Sequence, residues 1–329
     1  MTEHNETSIM FIAWYKQYIK IQIETWIFLI HHSIEDRRIL EISKQIGLTK
    51  GECEQMKLKI MEWNINQRMN YAGADMPSWI SEIIVKEKAD LISLTEVYRG
   101  NNWERVKKEA FNSDYAVFET SNNSAGQNDI AIAINTKKLD IIYAKTNYSG
   151  REGIPDHLEV KCKNRENGKE FVFVCMRIHA SVSDDVKKKE LNHVIAASKN
   201  SDTVIICGDF NNYRRGFSND KWCLKEIKSI CQTNNFVIKT PDGSSIYEEN
   251  LNNIDYQFAE DHFLLKGIKE KDFILLPYDR DFVKKDKKVY KWGRDFQIYL
   301  GKDDMGKNMY DSVPAPFPDH AILKCEMEI

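Results

Sequence analysis

Two textures of apolar spacing divide the chain. Over residues 1–56, Phe11, Ile12, Tyr15, Ile19, Ile23, Trp26, Ile27 and Ile30 recur at three- and four-residue intervals, the period of one helical face. Ile19 to Glu24 also alternates with period two, a secondary strand reading. Ser33 can cap a second helix, with Asp36 at its third position. That helix runs from Arg37 to Ile46, stops at Gly47 and restarts after Thr49. The helix–Gly–Leu–Thr–helix outline resembles half of a helix-turn-helix. Eight acidic against six basic residues, a net of −2, and Glu52 and Glu54 on the would-be recognition helix oppose contact with phosphates. Residues 1–56 therefore read as a helical extension or docking module, with an apolar stripe suited to a homodimer contact or a protein partner.

From Met56 onward the pattern turns to strands. Lys57 to Asn66 alternates through Leu58, Ile60, Trp63 and Ile65, and Ser78 to Lys88 is helical. Strands follow at Asp90–Thr95, Asp129–Asn135, Leu139–Ala144, His157–Cys162 and Phe171–Ile178. Lys187 to Ser198 is a helix, Thr203 to Cys207 a fully buried strand, and Lys221 to Cys231 a helix. Asn253–Phe258 and His320–Glu326 are the last strands expected. Many strands with few helices between them predict a two-sheet core flanked by helices.

Composition narrows the class. Hydrophobic residues at 42% with 15 Phe, 14 Tyr and 7 Trp supply a large core, which excludes a disordered chain. No run of about 18 uncharged apolar residues exists, so no membrane span is expected. The N-terminus lacks a basic segment followed by an apolar run and cleavage site, and secretion is not expected. Seven scattered cysteines without a C-x-x-C pair read as reduced thiols of a cytoplasmic protein. With 47 basic and 50 acidic residues, any phosphate-binding surface must be local.

Candidate chemistry sits where the apolar runs stop. Strand 58–65 delivers Asn64 and Asn66, strand 91–95 delivers Glu96, and strand 171–178 delivers His179. Strand 203–207, broken by Gly208, delivers Asp209 and Asn211; Asp319 and His320 stand before the last strand. Polar groups on loops at the ends of a rigid sheet are the usual makings of an active site. Singly, each has a bland reading: Glu96 as a solvated turn residue, Asp209 and Asn211 as turn formers, His179 and His320 as satisfied partly buried histidines.

Together they resemble a family. Trp63-Asn64-Ile65-Asn66, Leu94-Thr95-Glu96-Val97, Ile178-His179, Gly208-Asp209-Phe210-Asn211, Ile254-Asp255-Tyr256 and Pro318-Asp319-His320-Ala321-Ile322 follow the order and approximate spacing of the endonuclease/exonuclease/phosphatase superfamily, the deoxyribonuclease I-like proteins. The resemblance covers roughly Leu58 to Ile329. It implies an α/β (α+β) fold, a four-layer α/β/β/α sandwich over 57–329, preceded by the helical module. It also implies divalent-metal-dependent hydrolysis of phosphoesters, with Mg²⁺ or Mn²⁺ as cofactor.

By the same resemblance Glu96 is the metal ligand, assisted by Asn64, while Asp319 holds a second metal or supports Asn66. Asp209 orients and deprotonates the attacking water. Asn211 holds the phosphate or Asp209 itself. His320 donates to a non-bridging phosphate oxygen, and Asp255 fixes its tautomer. His179 contacts the scissile phosphate or leaving group. Abasic-site endonucleases of the exonuclease III type carry tyrosine where Ile178-His179 stands, so the resemblance is to the histidine-containing branch.

Pro318 stands where the family usually has serine, removing a backbone donor while the Asp-His pair stays. Asp255 to Asp319 spans 64 positions, more than a compact member needs. Within them, Lys266 to Lys302 holds eleven Lys or Arg against six Asp or Glu, a net of +5. Tyr278, Phe282, Tyr290, Trp292, Phe296 and Tyr299 interleave, as in a polyanion groove or a hairpin with core aromatics. Arg214 and Arg215 suit a phosphate clamp. A nuclease acting on DNA first and RNA second is the leading expectation. A phosphatase on an inositol phosphate or sphingomyelin-type substrate is the alternative, and a partner-binding protein with a vestigial site a further one.

Overall fold

The computed structural model describes residues 57–65, 78–97, 101–120, 129–147, 156–212, 222–246, 259–279, 288–289, 296–313, 318 and 320–329, all within the compact unit Met56–Ile329. The readings made for residues 1–56 lie outside them.

Sheet one has the order β11-β15-β1-β2-β4-β3, with β1 Lys57–Asn64, β2 Leu91–Val97, β3 Tyr115–Glu119, β4 Asp129–Asn135, β11 Phe273–Leu275 and β15 Leu323–Glu328. Sheet two runs β5-β6-β7-β8-β10-β9, with β5 Leu139–Asn147, β6 Asp156–Asn164, β7 Glu170–Arg177, β8 Val204–Asp209, β9 Val237–Lys239 and β10 Asp261–Lys266. Most neighbours are antiparallel. One pair in each sheet is parallel, β1 with β2 and β7 with β8. Parallel neighbours need a crossover longer than a hairpin. Helices α1 (Ser78–Glu87) and α3 (Asp184–Ser198) lie in these two connections. Each pair therefore ends side by side, with Asn64 opposite Thr95 and Arg177 opposite Asp209.

Side-chain alternation sorts the layers. Leu58 and Ile60 of β1 point between the sheets, where they meet Ile132, Phe171, Phe173, Cys207, Phe263 and Leu323. Met61, Trp63 and Ile65 point outward onto α1 (Ile80, Ile83, Ile84) and α2, Asn101–Ala110 (Trp103, Val106). On the far side, Val172, Val174 and Ile206 pack under α3 (Leu191, Val194, Ile195) and α4, Leu224–Thr233 (Ile227, Cys231). The result is the four-layer α/β/β/α order expected from the sequence. Among the described residues, no helix is long and apolar enough to cross a membrane.

The strand expected over Asn253–Phe258 lies outside the described residues, and a strand, β10, begins at Asp261. In the basic-aromatic insert, Lys288–Val289, Phe296–Lys302 and Asn308–Val313 form a separate three-stranded sheet, β12-β13-β14. Tyr278, counted among the groove aromatics, is instead buried in the inter-sheet core and donates its hydroxyl to the Asp261 carbonyl at 2.6 Å.

Candidate active site

The ends of β1, β2, β7 and β8 bring their terminal polar residues together across the two sheets. Asn64 shares the inward parity of Leu58 and Ile60, and its Nδ2 donates to Asp209 Oδ2 at 3.1 Å. The backbone N–H of Asn211 donates to Asp209 Oδ1 at 2.8 Å, and Asn211 Nδ2 donates to Asp209 Oδ2 at 2.9 Å. Asp209 is 1% exposed, and burial pushes its pKa up to about 6. Nearby His320 and Arg177 pull that value down, while Asp261 and Glu96 add to it.

Glycine at 208 makes this placement possible. Its φ is 141°, and a Cβ there would lie 1.8 Å from the Met176 carbonyl oxygen of the adjoining strand. Asn211 adopts a left-handed φ of 45°. Its Nδ2 also donates to the Ile178 carbonyl at 2.7 Å, and its own carbonyl accepts from Lys187 Nζ at 2.8 Å. Of the two tasks the sequence offered Asn211, these contacts serve the positioning of Asp209.

Glu96 owes its position to a β-bulge. Between Leu94 and Val97 the register against β4 slips by one residue, and Glu96 takes φ 54°. Its carboxylate is 1% exposed and meets Arg177 Nη2 at 2.6 Å. Residues held in sparsely populated backbone conformations cost about 1–3 kcal/mol each, and Glu96 and Asn211 are both at this edge.

His320 is 2% exposed, and its Nδ1 lies 2.9 Å from Asp261 Oδ2. Its carbonyl accepts from Trp63 Nε1 at 3.0 Å. A carboxylate facing Nδ1 holds a proton on that nitrogen. The family resemblance implied Asp255 for this supporting role, and Asp255 lies outside the described residues; the carboxylate seen on His320 Nδ1 is Asp261. β10 runs antiparallel to β8, with Asp261 opposite Asp209, so it presents its first residue rather than its last to this edge.

His179 is held differently. Glu190 of α3, wholly buried, takes its Nδ1 at 2.7 Å and its backbone N–H at 3.0 Å. Asn66, Arg214, Arg215 and Asp319 lie outside the described residues. The structure thus unites Asn64, Glu96, Asp209, Asn211 and His320, with His179 beside them through Ile178.

Five residues escaped the sequence reading: Arg177, Asp261, Lys187, Glu190 and Glu62. Glu62 is 0% exposed on the inward face of β1, and among the described residues neither carboxyl oxygen has a hydrogen-bond partner. Burial, with Asp261 and Cys207 adding, holds its pKa well above the usual carboxylate range. The signal for Glu62 was available, since it stands at an inward position between Ile60 and Asn64.

The donors gathered here are oxygens of one carboxyl-rich edge. A hard cation such as Mg²⁺ is bound through one or two carboxylates, several waters and substrate phosphate rather than by a full protein cage. Among the described residues no three His, Cys, Asp or Glu side chains converge as a metal cluster, and Glu96 with Asn64 fits that sparse pattern.

Neither a protein-family model nor a curated protein matches the sequence. Solved structures do match in shape. An endonuclease/exonuclease/phosphatase family protein from Bacteroides thetaiotaomicron aligns over 83% of this chain and 98% of its own, at 13% identity and TM-score 0.56. The fold is that of the deoxyribonuclease I-like proteins. A Bacteroides thetaiotaomicron mannosyl-6-phosphatase aligns over 83% of this chain and all of its own, with 12% identity and TM-score 0.57. D. rerio TDP2, complexed with a single-strand DNA product, covers 83% and 99% at 13% identity and TM-score 0.51.

Proposed function

We propose that the chain is a divalent-metal-dependent phosphoester hydrolase, and that its substrate is a nucleic acid, DNA before RNA. The observation that carries this reading is the buried His320–Asp261 pair set beside Asp209, a carboxylate held by three donated hydrogen bonds. A carboxyl with a pKa of about 6 is matched to taking a proton from water near neutral pH. Asn64 and Asn211 fix its direction, and His320, as an imidazolium paired at Nδ1 with Asp261, donates from its other nitrogen to an oxygen of the phosphate as charge grows there. Glu96, with Asn64, would hold Mg²⁺ or Mn²⁺. When bound, the ion neutralises phosphoryl oxygens and lowers the cost of a negative transition state. His179, held at Nδ1 by Glu190, would contact the phosphate or leaving group.

A nucleic-acid substrate is favoured by the single-strand DNA product bound to the similarly folded TDP2 and by the net +5 of the 266–302 segment. A small phosphoester is the second reading, favoured by the mannosyl-6-phosphatase of equal coverage and by the loss of Tyr278 to the core. Asp319, Asn66, Arg214 and Arg215 complete the proposal as metal and phosphate contacts, and residues 1–56 as a partner or dimer module in a cytoplasmic protein.

The test offers supercoiled plasmid, single-stranded DNA and RNA beside sugar phosphates, inositol phosphates and sphingomyelin, with Mg²⁺ or Mn²⁺. Degradation of nucleic acid that disappears in Asp209→Ala and His320→Ala supports the nuclease reading. Phosphate release from the small substrates alone transfers the proposal to the phosphatase reading. Silence on all substrates, or undiminished rates in both variants, refutes the assigned roles.

A further inference from the structure

Arg177 closes β7, whose residues Phe171, Phe173 and Cys175 point into the inter-sheet core. By the same alternation Arg177 faces inward, at the level where the sandwich opens into the site. Its side chain is 11% exposed. Nη2 reaches across to Glu96 Oε1 on the opposite sheet at 2.6 Å, and Nε lies 3.6 Å from Asp209 Oδ2 on its own sheet. A guanidinium stays charged throughout the accessible pH range. It therefore places one permanent positive charge between two carboxylates that are each 1% exposed.

Burying such an ion pair gives little net stability, because desolvation of both partners offsets their attraction. Removing one partner is costly, since the other is left charged in a poor solvent. The arrangement is thus better suited to neutralising a site than to bracing a fold. Glu96 is also the carboxylate to which the proposed divalent ion binds. Two cations at one carboxylate repel strongly at this burial.

We propose that Arg177 is a resident cation that occupies Glu96 in the metal-free protein, yields it when a divalent ion binds, and thereby sets the affinity for that ion. This rests on the metal-dependent reading above. Arg177 then turns toward Asp209 or the incoming phosphate, and the metal-free site avoids two bare buried carboxylates. The protein consequently needs a higher metal concentration than Glu96 and Asn64 alone would require.

The experiment titrates chelator-treated full-length protein with Mn²⁺ and Mg²⁺ by calorimetry, without substrate. Arg177→Met keeps most of the side-chain length and removes the charge, and it should bind at least tenfold more tightly than wild type. Glu96→Gln should lose binding in both backgrounds. Equal or weaker binding in Arg177→Met, with wild type binding normally, overturns the role of Arg177 and leaves the metal reading intact. No binding in any form overturns both. Wild-type protein gives a second readout should Arg177→Met fail to fold. The Arg177 guanidinium nitrogen resonances, identified by their loss in Arg177→Lys, should shift or broaden as Mg²⁺ is added. Unmoved resonances at saturating Mg²⁺ overturn the proposal.

Discussion

Asp261 gives the sharpest prediction, because it separates a residue seen against His320 from one that sequence resemblance placed there. Its carboxylate is 0% exposed and 2.9 Å from Nδ1. Unit charges at that distance and an effective dielectric near 20 attract by about 6 kcal/mol. Asparagine keeps the shape and a neutral acceptor. Charge-assisted hydrogen bonds are roughly twice as strong as neutral ones, so about half of that attraction, ~3 kcal/mol, is forfeited when the imidazole gains charge. At 1.36 kcal/mol per decade this lowers turnover by about a hundredfold. The loss should fall on kcat with KM little moved, because the added charge matters most as negative charge builds on the phosphate. Asp255→Asn should stay within about threefold of wild type. The assay is steady-state hydrolysis of whichever substrate class responds, with thermal melting to verify that both variants fold. A near-normal rate for Asp261→Asn, or an equal loss for Asp255→Asn, refutes the assignment.

Further predictions concern the scaffold and its protons. Gly208→Ala should cost about 3 kcal/mol or more, since its Cβ would meet the Met176 carbonyl oxygen at 1.8 Å with φ at 141°. A urea midpoint within the equivalent of about 1 kcal/mol of wild type would contradict this. Asp209 holds its proton to about pH 6 when folded but only to its ordinary 3.8 when unfolded. Below that range both states are protonated; as pH rises through it the unfolded state ionises first, so metal-free stability falls by about 3 kcal/mol on this account. Glu62 extends the decline in the same direction because its folded value is raised too. Glu62→Gln should therefore melt higher than wild type at pH 8 and equally at pH 4, and a lower melting temperature at pH 8 would count against the buried neutral carboxyl.

Much of the core of residues 57–329 was legible from apolar runs. The strand expected at Asp129–Asn135 has those bounds, and β1, β6, β7 and β8 lie within about two residues of their expected ends. These segments are apolar on both faces or alternate cleanly, so burial alone specifies them. Helix α2 was missed because the apolar residues that NNWERVKKEA buries are Trp103, Val106 and Ala110, too few to register against its charge. At the site, Asn64, Glu96, Asp209 and His320 could be found as polar residues where apolar runs stop. Asp261 could not be found by that rule, because an antiparallel strand offers its head to the same edge. Arg177 was hidden for another reason. It closes an apolar strand as any surface arginine might, and only the partner sheet reveals that it points inward.

The pairing of β1 with β15 has a consequence for how the molecule comes into being. Asn64 and the Trp63 indole belong to the first described strand, whereas His320, which that indole holds, immediately precedes the final strand, Leu323–Glu328. Until the last strand has left the ribosome, β1 has an open side and His320 has no anchor. Contacts so distant along the chain close late in folding. A nascent chain that has yet to pair Leu323–Glu328 with β1 carries Glu96, Arg177 and Asp209 with His320 still unanchored beside them, and only that pairing brings the four together.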